Sequence, residues 1–450
     1  MKVVVIGCTH AGTAAVQQIL ARAPETEVTV YERTKGIAFL SCGISLYLQG
    51  TVPTLEEMCY ASPDDLTKLG AQVNMYHDVF QVDTQTKTLW VQDLATGKKF
   101  QDHYDKLIMT TGSVAVVPPL QGVSVPRVQI CKNYHDAKMM KAAAQDAKRI
   151  AIVGAGYIGV ELAESYSSTG HEVLLINSST HILKHYIDPP LAAAVTEDMQ
   201  AHGVELYLNE QAQKFDSDQD HVYIQTDKME HEADLAIVCV GFRPQTDLLQ
   251  GQVTLSKDGA FKVNDYLQTS DPDIYAAGDS VASHFNPSHE DAYTPLATCA
   301  VRQGVLVGRN VVGQRLKYRG TQATSALHLY GRTVASTGLT LRYAKKAGYN
   351  AAAVDLTDNY RPEFMPSTTP IKMRLVYDRD TQRILGGQLS SHYNISQSAN
   401  TLSVCIQNEN TVEDLAFVDM LFSPHDDRPF HYLNLLGQAA LAQIEAEQGD

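Results

Sequence analysis

The chain lacks any apolar run long enough to cross a bilayer, any low-complexity tract, any block of basic residues and any CxxC pair. Each absence excludes something. Without a long apolar run a transmembrane helix is excluded and no membrane partner is expected; 44% hydrophobic and 19% charged residues describe a globular chain. The net charge is -15 and Lys and Arg are dispersed, so there is no electrostatic footprint for nucleic acid. The opening MKVVVIGCTHAG runs directly into a strand and a glycine-containing turn, without the charged, apolar and cleavage regions of a secretory signal, which predicts a cytoplasmic protein. The seven cysteines (Cys8, Cys42, Cys59, Cys131, Cys239, Cys299, Cys405) are odd in number and widely spaced, which argues against a disulfide framework and a structural zinc site. No metal is expected, and most of these thiols read as small buried hydrophobes.

What is present is a duplication. VVVIGCTHAGTAAVQQIL followed by VTVYER, and IAIVGAGYIGVELAESYSSTG followed by VLLIN, share one pattern of strand, glycine turn, helix and strand, with Gly154 standing 147 positions after Gly7. Each copy is a mononucleotide-binding half of a Rossmann-like unit, so two dinucleotides are implied. In each, the turn lets backbone approach a pyrophosphate at a helix N-terminus, where free amides and the helix dipole favour an anion. The second copy is complete, with Gly154, Gly156 and Gly159 in GAGYIG; Ile158 lies in the same turn. The first keeps Gly7 and Gly12 but has Thr9 in the middle, with His10 and Ala11 after it. Glu32, 20 residues beyond Gly12, stands where a carboxylate accepts from ribose hydroxyls, and Arg33 follows it.

The segment TSDPDIYAAGDS, ending at Gly278 and Asp279, resembles the short FAD motif of two-dinucleotide flavoproteins, whose aspartate binds the ribityl chain. In such proteins a TTGS turn, here Thr110, Thr111, Gly112 and Ser113, and a segment like VGFRPQTDLL, here from Val240 and including Gly241, mark the two crossings between FAD and NAD domains. The organisation read from this is an α/β chain with two Rossmann-like domains. Residues 1–113 and 245–320 form a discontinuous FAD-binding domain, 114–244 an NAD(P)H-binding domain, and 321–450 an α+β C-terminal dimerisation domain. In the last, IKMRLVYD and ILGGQLSS read as strands and NTLSVCIQNENTVEDLAFVDML as helix.

Cys42 lies in IAFLSCGISLYLQG, where a strand-like entry gives way to a short helix stopped by Gly50. A sulfur near a helix N-terminus is expected to have its thiolate stabilised, as a redox nucleophile requires. In disulfide reductases of this architecture a second cysteine follows five residues later; here that position is Tyr47, so the thiol must cycle alone, through a sulfenic acid or a mixed disulfide. A histidine in the first turn of a helix, such as His10, has its imidazolium disfavoured by the dipole and is expected to be neutral.

FLSCGISLYLQG and GCTHAG, with YRPEFMPST, SQSANTLSVCIQNENT and DRPFHYLNLLGQAA further on, resemble the NADH oxidase and NADH peroxidase branch of the pyridine nucleotide disulfide oxidoreductases, and within it the single-cysteine, water-forming oxidases. The resemblance spans essentially the whole chain. It implies FAD, NADH and dioxygen as cofactor and substrates, a homodimer, and Cys42 and His10 as the catalytic pair. Hydride would pass from NADH to FAD, and peroxide formed through a peroxyflavin would oxidise Cys42 to a sulfenic acid that a second NADH reduces. It further implies that amides from Leu296, Ala297 and Thr298 face the flavin, that Tyr157 contacts nicotinamide or its phosphates, and that Glu161 is the acid on the NADH side. Helix-face packing competes with the last two readings, and Cys299 receives no role.

The largest departure is Asn177, at the end of VLLIN, where NADH-specific relatives carry Asp or Glu. No carboxylate follows to repel the extra phosphate of NADPH, and no arginine to clamp it, so both cofactors are expected to be used. An NADH peroxidase and a coenzyme A disulfide reductase share the single-cysteine logic and are the alternative enzymes. A flavoprotein redox sensor would show a lost cysteine, a broken nucleotide motif or a disordered tail, none of which is seen.

Overall fold

The computed structural model describes residues 1–449. Among them no helix is long and apolar enough to cross a membrane. Lys2–Ile6 is the centre of a parallel sheet because its valines are buried on both faces, as a strand covered by helices requires. It pairs with Glu27–Glu32 on one side and Lys106–Met109 on the other. The sheet is completed by Gln72–Met75 and by Ile274–Ala276, a strand contributed from far along the chain. A second five-stranded parallel sheet is built around Arg149–Val153, flanked by Glu172–Asn177 and Leu235–Val238 and closed by Val204–Leu208 and Val128–Ile130. In both sheets the glycine turn leaves the carboxyl end of the central strand, where ligands of open α/β sheets bind.

The two segments that carry the chain out of the first sheet and back to it are neighbours: Ser113–Ala115 pairs antiparallel with Phe242–Pro244. The C-terminal part is a five-stranded antiparallel sheet, ordered Ser325–Leu329, Arg332–Gly338, Ile384–Ser391, Pro370–Asp378 and Ala351–Asn359. Both expected strands are found there. The expected helix from Asn400 to Leu421 is different: it breaks after Gln407 and resumes at Val412–Phe417. Glu409 takes a positive φ of 58°, and Thr411 and Asp414 form a reciprocal capping box that starts the second helix afresh.

Helix His10–Arg22 and helix Ala297–Val311 pack at backbone distance. A Cβ on Gly304 would lie 2.3 Å from the Ala11 carbonyl oxygen, and one on Gly308 2.5 Å from that of Ala15. This contact fixes the start of the second helix against the first glycine turn.

Candidate active site

The outer glycines of both turns are required by the protein itself. Gly7 has φ +88°, and a Cβ there would meet the Thr110 carbonyl oxygen at 2.5 Å; Gly154 has φ +109° and would meet that of Cys239 at 2.4 Å. Gly12 and Gly159 face the carbonyl oxygens of Gly7 and Gly154. The middle position differs. A Cβ on Gly156, the residue preceding helix Tyr157–Ser168, would meet nothing within 4 Å, so no protein contact demands glycine and the space before the helix is open. Thr9 holds the corresponding place before helix His10–Arg22 and is exposed. Two open helix N-termini, each at a sheet's carboxyl end, fit the pyrophosphates of two dinucleotides.

Around the first turn Thr110 Oγ1 donates to the Gly7 oxygen at 2.7 Å, and Thr111 Oγ1 to the oxygen of Gln245, whose N–H donates to the Gly112 oxygen at 3.0 Å. Gly278, at φ +79°, donates its N–H to Gln303 Oε1 at 2.8 Å. Glu32 is 4% exposed, and its carboxylate accepts from the Cys8 N–H at 2.7 Å and from the Thr34 N–H and hydroxyl at 2.9 and 2.7 Å. It braces the turn and the loop after its strand rather than standing free. Arg33 lies 3.7 Å from Asp78.

A cavity of about 800 Å³ joins the two halves. Gly154, Gly156, Tyr157, Ile158, Glu161, Asn177 and Gly241 line one side, and His10, Cys42, Asp279, Leu296, Ala297 and Thr298 the other. Gly7, Thr9, Ala11, Gly12, Glu32, Arg33, Thr110, Thr111, Gly112 and Gly278 are not on this wall; they form or flank the first turn behind it, as Gly159 does for the second.

Cys42 sits in a single turn, Ser41–Gly43, ahead of helix Ile44–Gln49, which Gly50 ends at φ +89°. The expected strand before it is only an isolated pairing of Phe39 with Cys59. The expected acidification is also corrected. Cys42 opens onto the cavity, but burial by the surrounding protein pushes its thiol up, and the carboxylates of Glu161 and Asp279 push the same way against Lys132. A six-residue helix capped by Gly43 does not outweigh them. Tyr47, in the place of a second cysteine, lies under Lys141, whose ammonium is 4.0 Å from the ring centre and donates to the Tyr47 oxygen at 2.8 Å.

His10 is held below the ordinary histidine range, as expected, but chiefly by burial; Asp279 opposes this and Lys132 adds to it. Its Nδ1 is 2.9 Å from the Tyr60 hydroxyl, which fixes the ring. Tyr60 and Lys132 were not singled out from sequence. Lys132 donates to Ser113 Oγ at 2.7 Å, lies 3.5 Å from Asp279 Oδ2 and stands 4.1 Å over the Phe242 ring. Ser113 Oγ in turn donates to Asp279 Oδ2 at 2.8 Å. Tyr157 stacks its ring on Tyr186 at 3.7 Å on the cavity wall, and its hydroxyl bonds Ser325 and Ser336 of the C-terminal sheet. Leu296 precedes the first turn of helix Ala297–Val311. Cys299 is buried beside Thr321 Oγ1 at 3.2 Å, off the cavity wall.

Glu161 is pushed up to about 7, first by burial and then by the Glu164 carboxylate one turn on. The folded chain therefore holds this proton more tightly than the unfolded one, and stability falls as pH rises from the unfolded carboxyl range towards 7. Glu161→Gln removes that cost. Its melting temperature is expected to exceed the parent's at pH 8, by the equivalent of up to about 3 kcal/mol, and to converge with it near pH 5, as thermal scans at the two pH values would show.

The fold, the paired dinucleotide turns and Cys42 facing the cavity between them define a class. The chain belongs to the pyridine nucleotide-disulphide oxidoreductase family, whose model matches residues 1–304, and the family's dimerisation domain matches residues 324–426. Among individual proteins it is 51% identical over 446 residues to an NADH oxidase of Enterococcus faecalis, covering 99% of this chain and 100% of that one. It superposes with a TM-score of 0.98, at 54% identity and full coverage of both chains, on a water-forming NADH oxidase from Lactobacillus brevis bound to NADH. The same values hold for an engineered water-forming NADPH oxidase, a mutant of the Lactobacillus brevis protein, bound to NADPH.

Proposed function

We propose that this chain is an FAD-dependent NAD(P)H oxidase that reduces dioxygen to water. The observation that carries the reading is Cys42, without a partner thiol, opening with His10 onto a cavity that also meets the second dinucleotide turn. The similarity to water-forming oxidases along the full chain supports it.

Gly7, Thr9, Ala11, Gly12, Glu32, Arg33, Thr110, Thr111, Gly112, Gly278 and Asp279 hold FAD, with the amides of Leu296, Ala297 and Thr298 facing its ring. Gly154, Gly156, Ile158, Gly159, Glu161, Asn177 and Gly241 hold NAD(P)H, with the Tyr157 ring as a wall. When bound, FAD accepts hydride from the nicotinamide and passes electron pairs to oxygen or to the oxidised cysteine. The chain does the rest. Cys42 Sγ attacks one oxygen of hydrogen peroxide; the S–O bond forms as the O–O bond breaks, and neutral His10 takes the thiol proton and passes it to the other oxygen, which leaves as water. Two electrons from a second NADH and two protons return the sulfenic acid to the thiol and release the second water.

The thiol's raised range places deprotonation on the protein's own groups. Lys132 is the only one of Cys42's resolved charged neighbours that favours thiolate, and protonation of Glu161 removes one of the two that oppose it. The division into 1–113 with 245–320, 114–244 and 321–450 is supported by the sheet that joins residues 2–109 to 274–276. A homodimer is supported by the dimerisation-domain match and by exposed Phe417, Leu421 and Phe422 within it. A cytoplasmic setting is supported by seven unpaired cysteines.

Both nicotinamide cofactors are used, because Asn177 turns its amide inward to Ala155, Ser179 and His181 and presents no negative charge to a phosphate. Asn177→Asp is expected to raise the NADH to NADPH ratio of kcat/KM by about tenfold or more, by repelling the phosphate. Stopped-flow mixing of the anaerobically reduced enzyme separates the oxidants. Rapid reoxidation by dioxygen, rather than only by peroxide or coenzyme A disulfide, is the expected result; reoxidation by one of the latter alone would make the protein a peroxidase or a disulfide reductase.

A further inference from the structure

We propose that Cys131 and Cys239 form a redox-sensitive dithiol beside the NAD(P)H turn, which hydrogen peroxide converts to a disulfide that slows the entry of hydride. The proposal goes beyond the oxidase reading and rests on it only for the source of the peroxide. Strand register sets the pair. Val128–Ile130 and Leu235–Val238 run parallel with Val238 opposite Ile130, so Cys131 and Cys239 are the next residues along the two strands. Alternation puts both on one face of the sheet. Ala236, Val238 and Val128 pack with Phe215 on the other face, whereas Cys131 and Cys239 pack into the core that holds Tyr166. Both thiols line the cavity onto which Cys42 and His10 open.

Neighbouring strands lie about 4.8 Å apart, within the roughly 4.4–6.8 Å that separates the Cα atoms of a disulfide. Parallel Cα–Cβ vectors keep that spacing at Cβ, whereas the bond holds Cβ atoms at about 3.8 Å, so closing it draws the two strand ends together. Each end carries part of the site. The Cys239 N–H donates to the Val153 oxygen at 2.8 Å, and its carbonyl oxygen stands 2.4 Å from where a Cβ on Gly154 would lie. The first glycine of GAGYIG therefore rests directly on Cys239. Lys132, which follows Cys131, donates to Ser113 Oγ at 2.7 Å and lies 3.5 Å from Asp279 Oδ2. Drawing the ends together displaces the turn on the NAD(P)H side and the lysine on the flavin side.

The oxidation balances inside the cavity. Cys131 Sγ attacks one oxygen of hydrogen peroxide; the S–O bond forms, the O–O bond breaks, and the other oxygen leaves as water with the thiol proton. Cys239 Sγ then attacks the Cys131 sulfur; the S–S bond forms, the S–O bond breaks, and the oxygen leaves as a second water with the Cys239 proton. Two thiols give up two electrons and one peroxide accepts them. Lys132 favours the Cys131 thiolate, which makes Cys131 the first attacker. Burial pushes Cys131 up to about 12 and, joined by the neighbouring Cys131, holds Cys239 well above the ordinary thiol range. Both stay protonated and react slowly. Cys42 is exposed to the cavity and turns peroxide over first. The pair oxidises only when peroxide outlasts Cys42, and slowed hydride entry then cuts its production.

The test takes the FAD-loaded enzyme, reduces it with dithiothreitol, desalts it, treats it with hydrogen peroxide and mixes it anaerobically with excess NADH while flavin absorbance is followed. Added peroxide makes the outcome independent of how much the oxidase itself releases, and flavin reduction by NADH does not need Cys42. The treated parent is expected to reduce its flavin about tenfold more slowly, to recover with dithiothreitol, and to yield a linked Cys131–Cys239 peptide in a non-reducing digest. Cys131→Ala and Cys239→Ala are expected to keep the untreated rate after the same treatment. Absence of the linked peptide, a linked enzyme that reduces flavin at the untreated rate, or equal slowing in either variant would overturn the proposal. A loss that dithiothreitol does not reverse places the damage elsewhere and overturns it too. If the variants do not fold, the linked peptide and the reversal in the parent decide.

Discussion

Cys42→Ser is expected to keep the yellow cofactor and its reduction by NADH but to release hydrogen peroxide, about one per NADH consumed, where the parent releases almost none. The physical reason is division of labour. Oxygen reduction by two electrons needs only the flavin, whereas the second pair of electrons reaches the O–O bond through a nucleophile that forms and gives up an S–O bond. A serine hydroxyl is a far weaker acid than a thiol and makes no reducible bond to oxygen. The other six cysteines do not substitute: burial pushes Cys8 and Cys131 up to about 12 and Cys239 well above the ordinary thiol range, and Cys59, Cys299 and Cys405 lie off the cavity. The assay is peroxide by a coupled dye and oxygen by electrode in the same vessel. A variant that still yields water would remove Cys42 from the reaction.

Gly156→Val is expected to abolish use of NADH, lowering kcat/KM by on the order of a hundredfold or more, while fold and FAD content stay at the parent level. Its side chain would project from a residue at φ −79°, which valine tolerates, into space where no protein atom lies within 4 Å. The damage must therefore come from the cofactor's pyrophosphate. The same substitution at Gly154 lacks this selectivity, because φ +109° and the Cys239 carbonyl at 2.4 Å make it a folding defect as well. Circular dichroism, flavin absorbance and NADH kinetics on Gly156→Val separate the two causes; unaltered NADH kinetics would show that the open space is not the pyrophosphate seat.

Much of this site is written locally in the sequence. The strands before each glycine turn are continuous apolar runs, the outer glycines sit where backbone must pass within touching distance, and Cys42 and His10 each lie beside a helix start. What local sequence does not carry is what distant segments bring. Lys132 reaches Asp279 and Ser113 only because the two crossing strands pair, and Tyr60 meets His10 across 50 residues. The direction of the Cys42 shift depends on Glu161 and Asp279, each contributed by a different part of the chain, so a rule about one short helix pointed the wrong way. Tyr157 has a hydroxyl spent on two serines nearly 170 positions or more away.

The central claim is that four electrons reach each dioxygen inside one closed site. The most direct measurement follows NADH absorbance, dissolved oxygen and released peroxide together in one air-saturated reaction of the parent enzyme. The account predicts about two NADH oxidised for each oxygen consumed, with peroxide near background and unchanged stoichiometry when catalase is added. A ratio of about one NADH per oxygen, with peroxide accumulating in step and catalase returning half of the oxygen, would contradict it.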